Sequence, residues 1–341
     1  MISFDENFFK GEERDGFYVE AEMKRAWAAE MEVLMEIDRV CEKHNIPYFA
    51  DSGTLLGAVR HNGYIPWDDD LDIAMFRKDF LKFTRVAQTE LRPPMVCLDI
   101  YHQEKWMEPF GRVVNGVGGI KLTEEHLERY HGCPYSVGVD IFVLDDMPST
   151  EAAFDAAIEL AEWPFSIRSL VEARREQLEH MEDGSEKEEL EKIWDEKIED
   201  QLQKLEQFCN IKIDRKKDLS NQMLKIMDGL YAMAGEEGSD EVVNMPYTKK
   251  GRYATVGRKK EWYRETIRLP FENITIPVPI DFYKVLEKAY GSNYLTPVKK
   301  WNFHNYPFYK ENKRRLQEAR QDVRNIKGKM DRLEKLLGEV Q

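Results

Sequence analysis

The stretch 47–76, PYFADSGTLLGAVRHNGYIPWDDDLDIAMF, constrains this chain more than any other. Asp68, Asp69, Asp70 and Asp72 fall within five residues and lead directly into Ile73-Ala74-Met75-Phe76. An acidic surface loop would stay in polar company; these acids run into an apolar strand instead. Strand side chains alternate faces, which puts Asp70 and Asp72 on one side. Asp68 joins them if the strand reaches back that far, and Asp69 points away. Carboxylates crowded on one face repel each other, and oxygen ligands of this kind favour Mg²⁺, Mn²⁺ or Ca²⁺ between them. Upstream, Tyr48-Phe49-Ala50 reads as a short strand, Ser52-Gly53-Thr54 as a tight turn and Leu55–Val59 as the start of a short helix. A small-residue turn at a helix N-terminus offers backbone N–H groups and a favourable dipole to a phosphate. A phosphate cradle beside a metal site is the apparatus of phosphoryl transfer.

A second acidic strand is expected at Ser136–Leu144, where Asp140 lies among Val137, Val139, Ile141, Phe142, Val143 and Leu144. A buried, unpaired carboxylate is costly, so Asp140 demands a cation, a proton or an arginine partner. Asp145 and Asp146 are expected in the exit loop.

Residues 53–75, GTLLGAVRHNGYIPWDDDLDIAM, with the uncommon Arg60, Pro66 and Trp67, resemble the signature of the LicD family. These are phosphocholine transferases related to fukutin and the fukutin-related protein. The stretch also resembles the wider nucleotidyltransferase superfamily, whose pattern is Gly-Ser, Asp-x-Asp and a third acidic strand residue. The likeness continues into 137–146 and 269–297. It implies an α/β (α+β) fold with a nucleotidyltransferase-like mixed sheet core. It also implies catalytic roles for Asp70, Asp72 and Asp140. Mg²⁺ or Mn²⁺ would sit on those three, with Asp68 as a further ligand or a support for the turn. Ser52, Gly53 and Thr54 would hold phosphate, and Arg60 would neutralise developing charge. Lys299, Lys300 and His304 match where the family places basic substrate contacts. By resemblance, the donor is a CDP-activated alcohol and the group moved is phosphocholine. The acceptor is a sugar hydroxyl of a cell-surface glycan or its lipid-linked precursor, with lipopolysaccharide and teichoic acid as the glycan classes. The same three acids also serve a nucleotidyltransferase that moves NMP from an NTP, so the motif leaves both open. A noncatalytic scaffold on a dead transferase fold would be expected to have lost one of Gly53, Asp70, Asp72 and Asp140.

The 341 residues suffice for one large domain or two ordinary ones, and 42% apolar with 11% aromatic residues is a globular composition. A net charge of −14 argues against nucleic acid as a partner, so anionic substrates depend on metal and local cations. No apolar run reaches the length of a membrane span and MISFDENFFKGEERDG lacks a signal-peptide pattern, which predicts a cytoplasmic protein reaching a lipid-linked acceptor peripherally. Cys41, Cys97, Cys133 and Cys209 are dispersed without a CxxC, which suggests reduced thiols.

The expected organisation is a catalytic core over 1–148, a helical insertion over 149–240, the C-terminal part of the catalytic domain over 241–309 and a heptad helix over 310–341. Residues 17–45 predict a helix stopped before Pro47. Residues 95–101 and 110–114 predict strands, and Gly-rich 115–119 a turn. The basic tracts 247–253 and 258–260 suit either substrate phosphates or an ordinary surface. At the end, Leu316, Val323, Met330 and Leu337 alternate with Ala319, Ile326, Leu333 and Val340. That a/d pattern, with Gly328 outside it, fits a homodimeric coiled coil or a helix packed on its own domain.

Overall fold

The structure, a computed structural model, describes residues 1–298 and 306–338; Lys299, Lys300, His304 and Val340 lie outside the described residues. Strands β1 (Glu12–Arg14) and β2 (Phe17–Val19) form a hairpin turned by Asp15 and Gly16, both at positive φ. An Asp-Gly pair suits such a turn, so Phe17 enters a strand instead of the predicted helix. Helix α1 (Ala21–His44) begins after it and ends at Asn45, whose left-handed backbone (φ 50°) returns its N–H to Cys41 and Glu42. Pro47 then prevents a restart.

The central sheet is assembled next. Strand β3 (Phe49–Ala50) leads into helix α2 (Ser52–His61), strand β4 (Leu71–Phe76) and helix α3 (Arg77–Glu90). Strands β5 (Val96–Leu98) and β6 (Gly111–Val114), helix α4 (Glu124–Arg129) and strand β7 (Gly138–Asp146) follow. The spatial order is β3-β4-β7-β6-β5, with β4 and β7 parallel and the other neighbours antiparallel. This is the mixed sheet of an α/β fold. Trp27, Met31, Leu34 and Ile37 of α1 belong to the same buried core as Ile73 and Met75 of β4 and Val139 and Ile141 of β7. Each such side chain stabilises by about 1.5–3 kcal/mol when fully buried.

Beyond the sheet come α5 (Glu151–Glu179), α6 (Ser185–Cys209) and α7 (Leu219–Ala234). One cluster, including Met147, Phe154, Ile158, Leu224 and Val243, ties α5 and α7 to the end of the sheet. A separate cluster of Ile167, Ile198, Leu202, Leu205 and Met223 holds the three helices to one another. Strand β8 (Glu241–Val243) pairs with Asp145 and Asp146 of β7 on one side and with β9 (Arg258–Lys259) on the other; the short helix α8 (Tyr253–Val256) lies between them in sequence. Asp145 and Asp146 are therefore strand residues, not an exit loop. β10 (Thr266–Phe271) and β11 (Ile274–Pro279) form a hairpin of their own, followed by α9 (Phe282–Tyr290) and α10 (Lys310–Gly338). Among the described residues, no helix is long and apolar enough to cross a membrane.

Candidate active site

Sheet register brings the two acidic strands together. Asp72 of β4 and Asp140 of β7 are direct partners, as are Asp140 and Arg112 of β6. Partners in register project to the same face about 4.8 Å apart, which makes Asp72, Asp140 and Arg112 a row across three strands. Arg112 grips Asp140 with two hydrogen bonds, one from Nε to Oδ1 and one of 2.7 Å from Nη2 to Oδ2. The arginine partner that burial demanded is thus present. Burial still raises the Asp140 pKa; Arg112 pulls it back in part, and Asp70 adds to the rise.

Strand β4 begins at Leu71, so Asp68, Asp69 and Asp70 lie on an irregular turn before it and Asp68 is not a strand residue. The turn nevertheless gathers its acids: Asp68, Asp69 and Asp70 each offer a carboxylate oxygen within 4.8 Å of the others. Trp27 fixes it from α1, donating from Nε1 to the Asp68 carbonyl at 3.1 Å, and stacks on Tyr64 at 4.5 Å between centroids. Asp69 is buried and accepts the Phe308 amide at 2.6 Å. Burial pushes the Asp68 carboxyl well above the ordinary carboxylate range, reinforced by Asp70 and Asp69. Asp72 is likewise pushed well up, first by burial and then by Asp70, Asp140 and Asp68. Mutual repulsion is the condition that a hard, oxygen-seeking divalent cation relieves, so this donor set fits one.

The expected phosphate turn, Ser52-Gly53-Thr54, is the first turn of α2 itself rather than a turn before it, and it lies against the acids. Asp51 N donates to the Asp72 carbonyl at 3.0 Å, and Asp72 N donates to Thr54 Oγ1 at 2.7 Å. Thr54 is buried, and its hydroxyl oxygen, by accepting this N–H, fixes the Asp72 backbone. Ser52, the first residue of α2, has φ 48°, a conformation that costs a non-glycine residue energy and gathers at functional sites. Gly53 leaves room for an acid: a Cβ there would stand 2.5 Å from Asp68 Oδ2 and push that carboxylate aside. Gly57 does the same for the returning chain, where a Cβ would meet the Gly63 carbonyl at 2.4 Å. Arg60 lies in the last turn of α2, about 12 Å along the axis from Ser52, and donates to the Tyr294 carbonyl at 3.1 Å. Lys299 and His304 lie outside the described residues.

Several contributors escape the sequence. Arg258 donates to Asp51 Oδ1 at 2.7 Å from a nearly enclosed position, so one residue of the basic tract does reach the site, though to a carboxylate. Lys259 and Lys260 pair instead with Glu241 and Asp146. Glu30 of α1 is buried beneath the acidic turn and accepts the Tyr64 hydroxyl at 2.9 Å. Burial holds Glu30 well above the usual carboxylate range, with Asp70, Asp69 and Asp68 adding to it and Tyr64 opposing. The available signal was an acid inside the buried stripe of α1.

With this geometry in place, comparison with known sequences is informative. The LicD/FKTN/FKRP nucleotidyltransferase domain matches residues 45–112. The lipopolysaccharide cholinephosphotransferase LicD of Haemophilus influenzae is 29% identical over 119 residues, which is 35% of this chain and 43% of that protein. The chain carries a LicD-family domain. Uncharacterized proteins of Rickettsia typhi and Rickettsia prowazekii are 46% and 44% identical over 55 residues, covering 18% and 21% of their lengths. The alignments thus span less than half of each of these relatives. The domain match ends at Arg112, so the partner of Asp140 lies inside it and Asp140 itself beyond it.

Proposed function

We propose that this LicD-family chain is a metal-dependent phosphotransferase that moves phosphocholine, or a related alcohol phosphate, from a CDP-activated donor to a sugar hydroxyl of a glycan. The observation that carries the reading is the register pairing of Asp72 with Asp140, beside the acidic turn and the start of α2. The Haemophilus relative, by name a lipopolysaccharide cholinephosphotransferase, supports the choice of transferred group and of glycan acceptor. Asp70, Asp72 and Asp140, with Asp68 at the edge, would hold Mg²⁺ or Mn²⁺. The bound ion supplies positive charge to the donor's diphosphate. The amides at Ser52 and Gly53 orient a phosphate at the α2 N-terminus. Trp27 and Thr54 keep the aspartates in place through the backbone. Asp140, its pKa raised and its orientation fixed by Arg112, accepts the acceptor hydroxyl proton. The hydroxyl oxygen bonds to the choline-bearing phosphorus, the bond from that phosphorus to the bridging oxygen breaks, and CMP leaves.

A donor screen with Mg²⁺ tests this. CDP-choline, CDP-ethanolamine, CDP-ribitol, CDP-glycerol and the four NTPs are offered with and without a glycan extract, and products are separated by chromatography. CMP from one CDP-alcohol, lost in Asp70→Ala and Asp72→Ala, is the expected result. Pyrophosphate from an NTP without CMP would make the chain a nucleotidyltransferase, and release of neither would overturn both readings.

A further inference from the structure

Next to the phosphate turn lies a cleft of about 260 Å³ between the start of α2, the segment after β8, α8 and the end of α9. It shares Asp51 and Ser52 with the candidate active site, and its other walls come from residues beyond the matched domain. Three cations reach it: Arg252, Arg258 and Lys288. Arg258 is committed to Asp51. Arg252 and Lys288 form no ion pair among the described residues; the Lys288 ammonium donates only to the Ala254 carbonyl at 3.2 Å. Both are exposed, and in a chain with 64 acidic and 50 basic residues they bring positive charge that no carboxylate neutralises to one cleft. Thr248 adds to it, because its Oγ1 is buried on the cleft wall without a hydrogen-bond partner. A buried hydroxyl left unsatisfied costs stability, which a ligand acceptor would recover.

The remaining wall is aromatic. Tyr247 stands edge-on to Phe142 at 5.1 Å between centroids and remains 57% exposed, so one side of its ring is open. Burial pushes the pKa of its hydroxyl up, with Glu108, Asp140 and Asp72 adding to the rise, and Phe142, against which it packs, lies two residues beyond Asp140 on β7. Cations without carboxylate partners, an orphaned hydroxyl and an open ring make a set that recognises phosphates joined to a flat heterocycle. Two lysine- and arginine-type charges would repel a metal ion, and a neutral sugar would leave them unanswered.

We infer that this cleft is the nucleotide subsite, taking the nucleoside diphosphate half of the donor, with Arg252 and Lys288 on the phosphates and Tyr247 against the base. The inference rests on the donor reading above and adds residues that the matched domain does not contain. Base-on-aromatic stacking tolerates different bases, so the cleft selects a nucleotide more strongly than a particular base.

Calorimetric titration of the full chain with CDP and with inorganic pyrophosphate, each with MgCl₂ present, tests it. The variants are Arg252→Gln/Lys288→Gln and Tyr247→Ala, with circular dichroism and melting temperature checking that each folds. The double variant should bind both ligands at least tenfold more weakly than the unaltered chain. Tyr247→Ala should weaken CDP about tenfold and leave pyrophosphate unchanged. Unchanged CDP binding in the double variant would overturn the subsite while leaving the donor reading intact. If the unaltered chain binds neither ligand, the subsite and the CDP-donor reading fail together.

Discussion

At the scale of single residues, the candidate site is built against its own stability. Asp68, Asp72 and Glu30 all hold their protons to higher pH in the folded chain than an ordinary carboxylate does, burial being the first cause for each. Above the ordinary carboxyl pKa of 3.8 for aspartate and 4.5 for glutamate, the folded chain therefore binds more protons than the unfolded one. Stability then falls as pH rises, until the folded groups have ionised. The salt-bridged acids Glu12, Glu32 and Glu36 have lowered pKa values and act in the opposite sense, so the variant must be compared with the parent chain. Glu30→Gln keeps an acceptor for Tyr64 and removes one titrating proton. It should raise the melting temperature at pH 7 to 8 but not near pH 4, flattening the slope by up to about 1.4 kcal/mol per pH unit. Chemical denaturation from pH 4 to 8 measures this, and parallel curves for parent and variant would refute it. Asp72→Asn should show the same stabilisation without divalent cation while losing turnover, the exchange expected of a strained site.

At the scale of elements, an arginine adds a buried charge link to the apolar cluster that ties the helical region to the sheet. Arg77, the first residue of α3, donates to both oxygens of buried Asp145 on β7 at 2.6 and 2.8 Å and to buried Asp228 on α7 at 2.7 Å. Tyr101 also hydrogen-bonds Asp228. Removing the arginine leaves two enclosed carboxylates without a cation, so Arg77→Ala should cost about 3–5 kcal/mol in denaturant titration. Adding Asp145→Asn and Asp228→Asn to that variant should restore most of the loss; no recovery would show that packing dominates over charge. This junction also marks the limit of what the sequence discloses. The strand at Asp72 is legible because the apolar run follows immediately, whereas Ser52-Gly53-Thr54, expected as a turn before the helix, form the first turn of α2 itself. Asp145 was expected in a loop because its cation lies 68 residues upstream. Arg112 opposite Asp140 and Arg258 on Asp51 are hidden for the same reason, since strand order and long-range pairing decide them. Phe17 went to a strand because the Asp15-Gly16 turn outweighed a helical spacing that began one element too early.

At the scale of the whole molecule, the C-terminal helix carries exposed apolar residues beyond its anchor on the core. α10 runs for 29 residues, about 43 Å. Its first seam residue, Leu316, is buried against the main core, whereas Ile326 and Met330 further along are 57% and 58% exposed. Ile326 and Met330 of the seam thus face solvent, and a/d spacing makes the seam complementary to a copy of itself. The heptads therefore predict a homodimer joined through the outer part of α10. Sedimentation equilibrium on the full chain at about 100 μM should give twice the 40.2 kDa monomer mass, and Ile326→Glu/Met330→Lys should shift it to monomer. Because both positions are solvent-facing in the single chain, that variant should keep the folding free energy of the body within about 0.5 kcal/mol. A monomer for the parent chain at this concentration would remove the dimer. A dimer that persists in the variant would place the contact elsewhere on the surface.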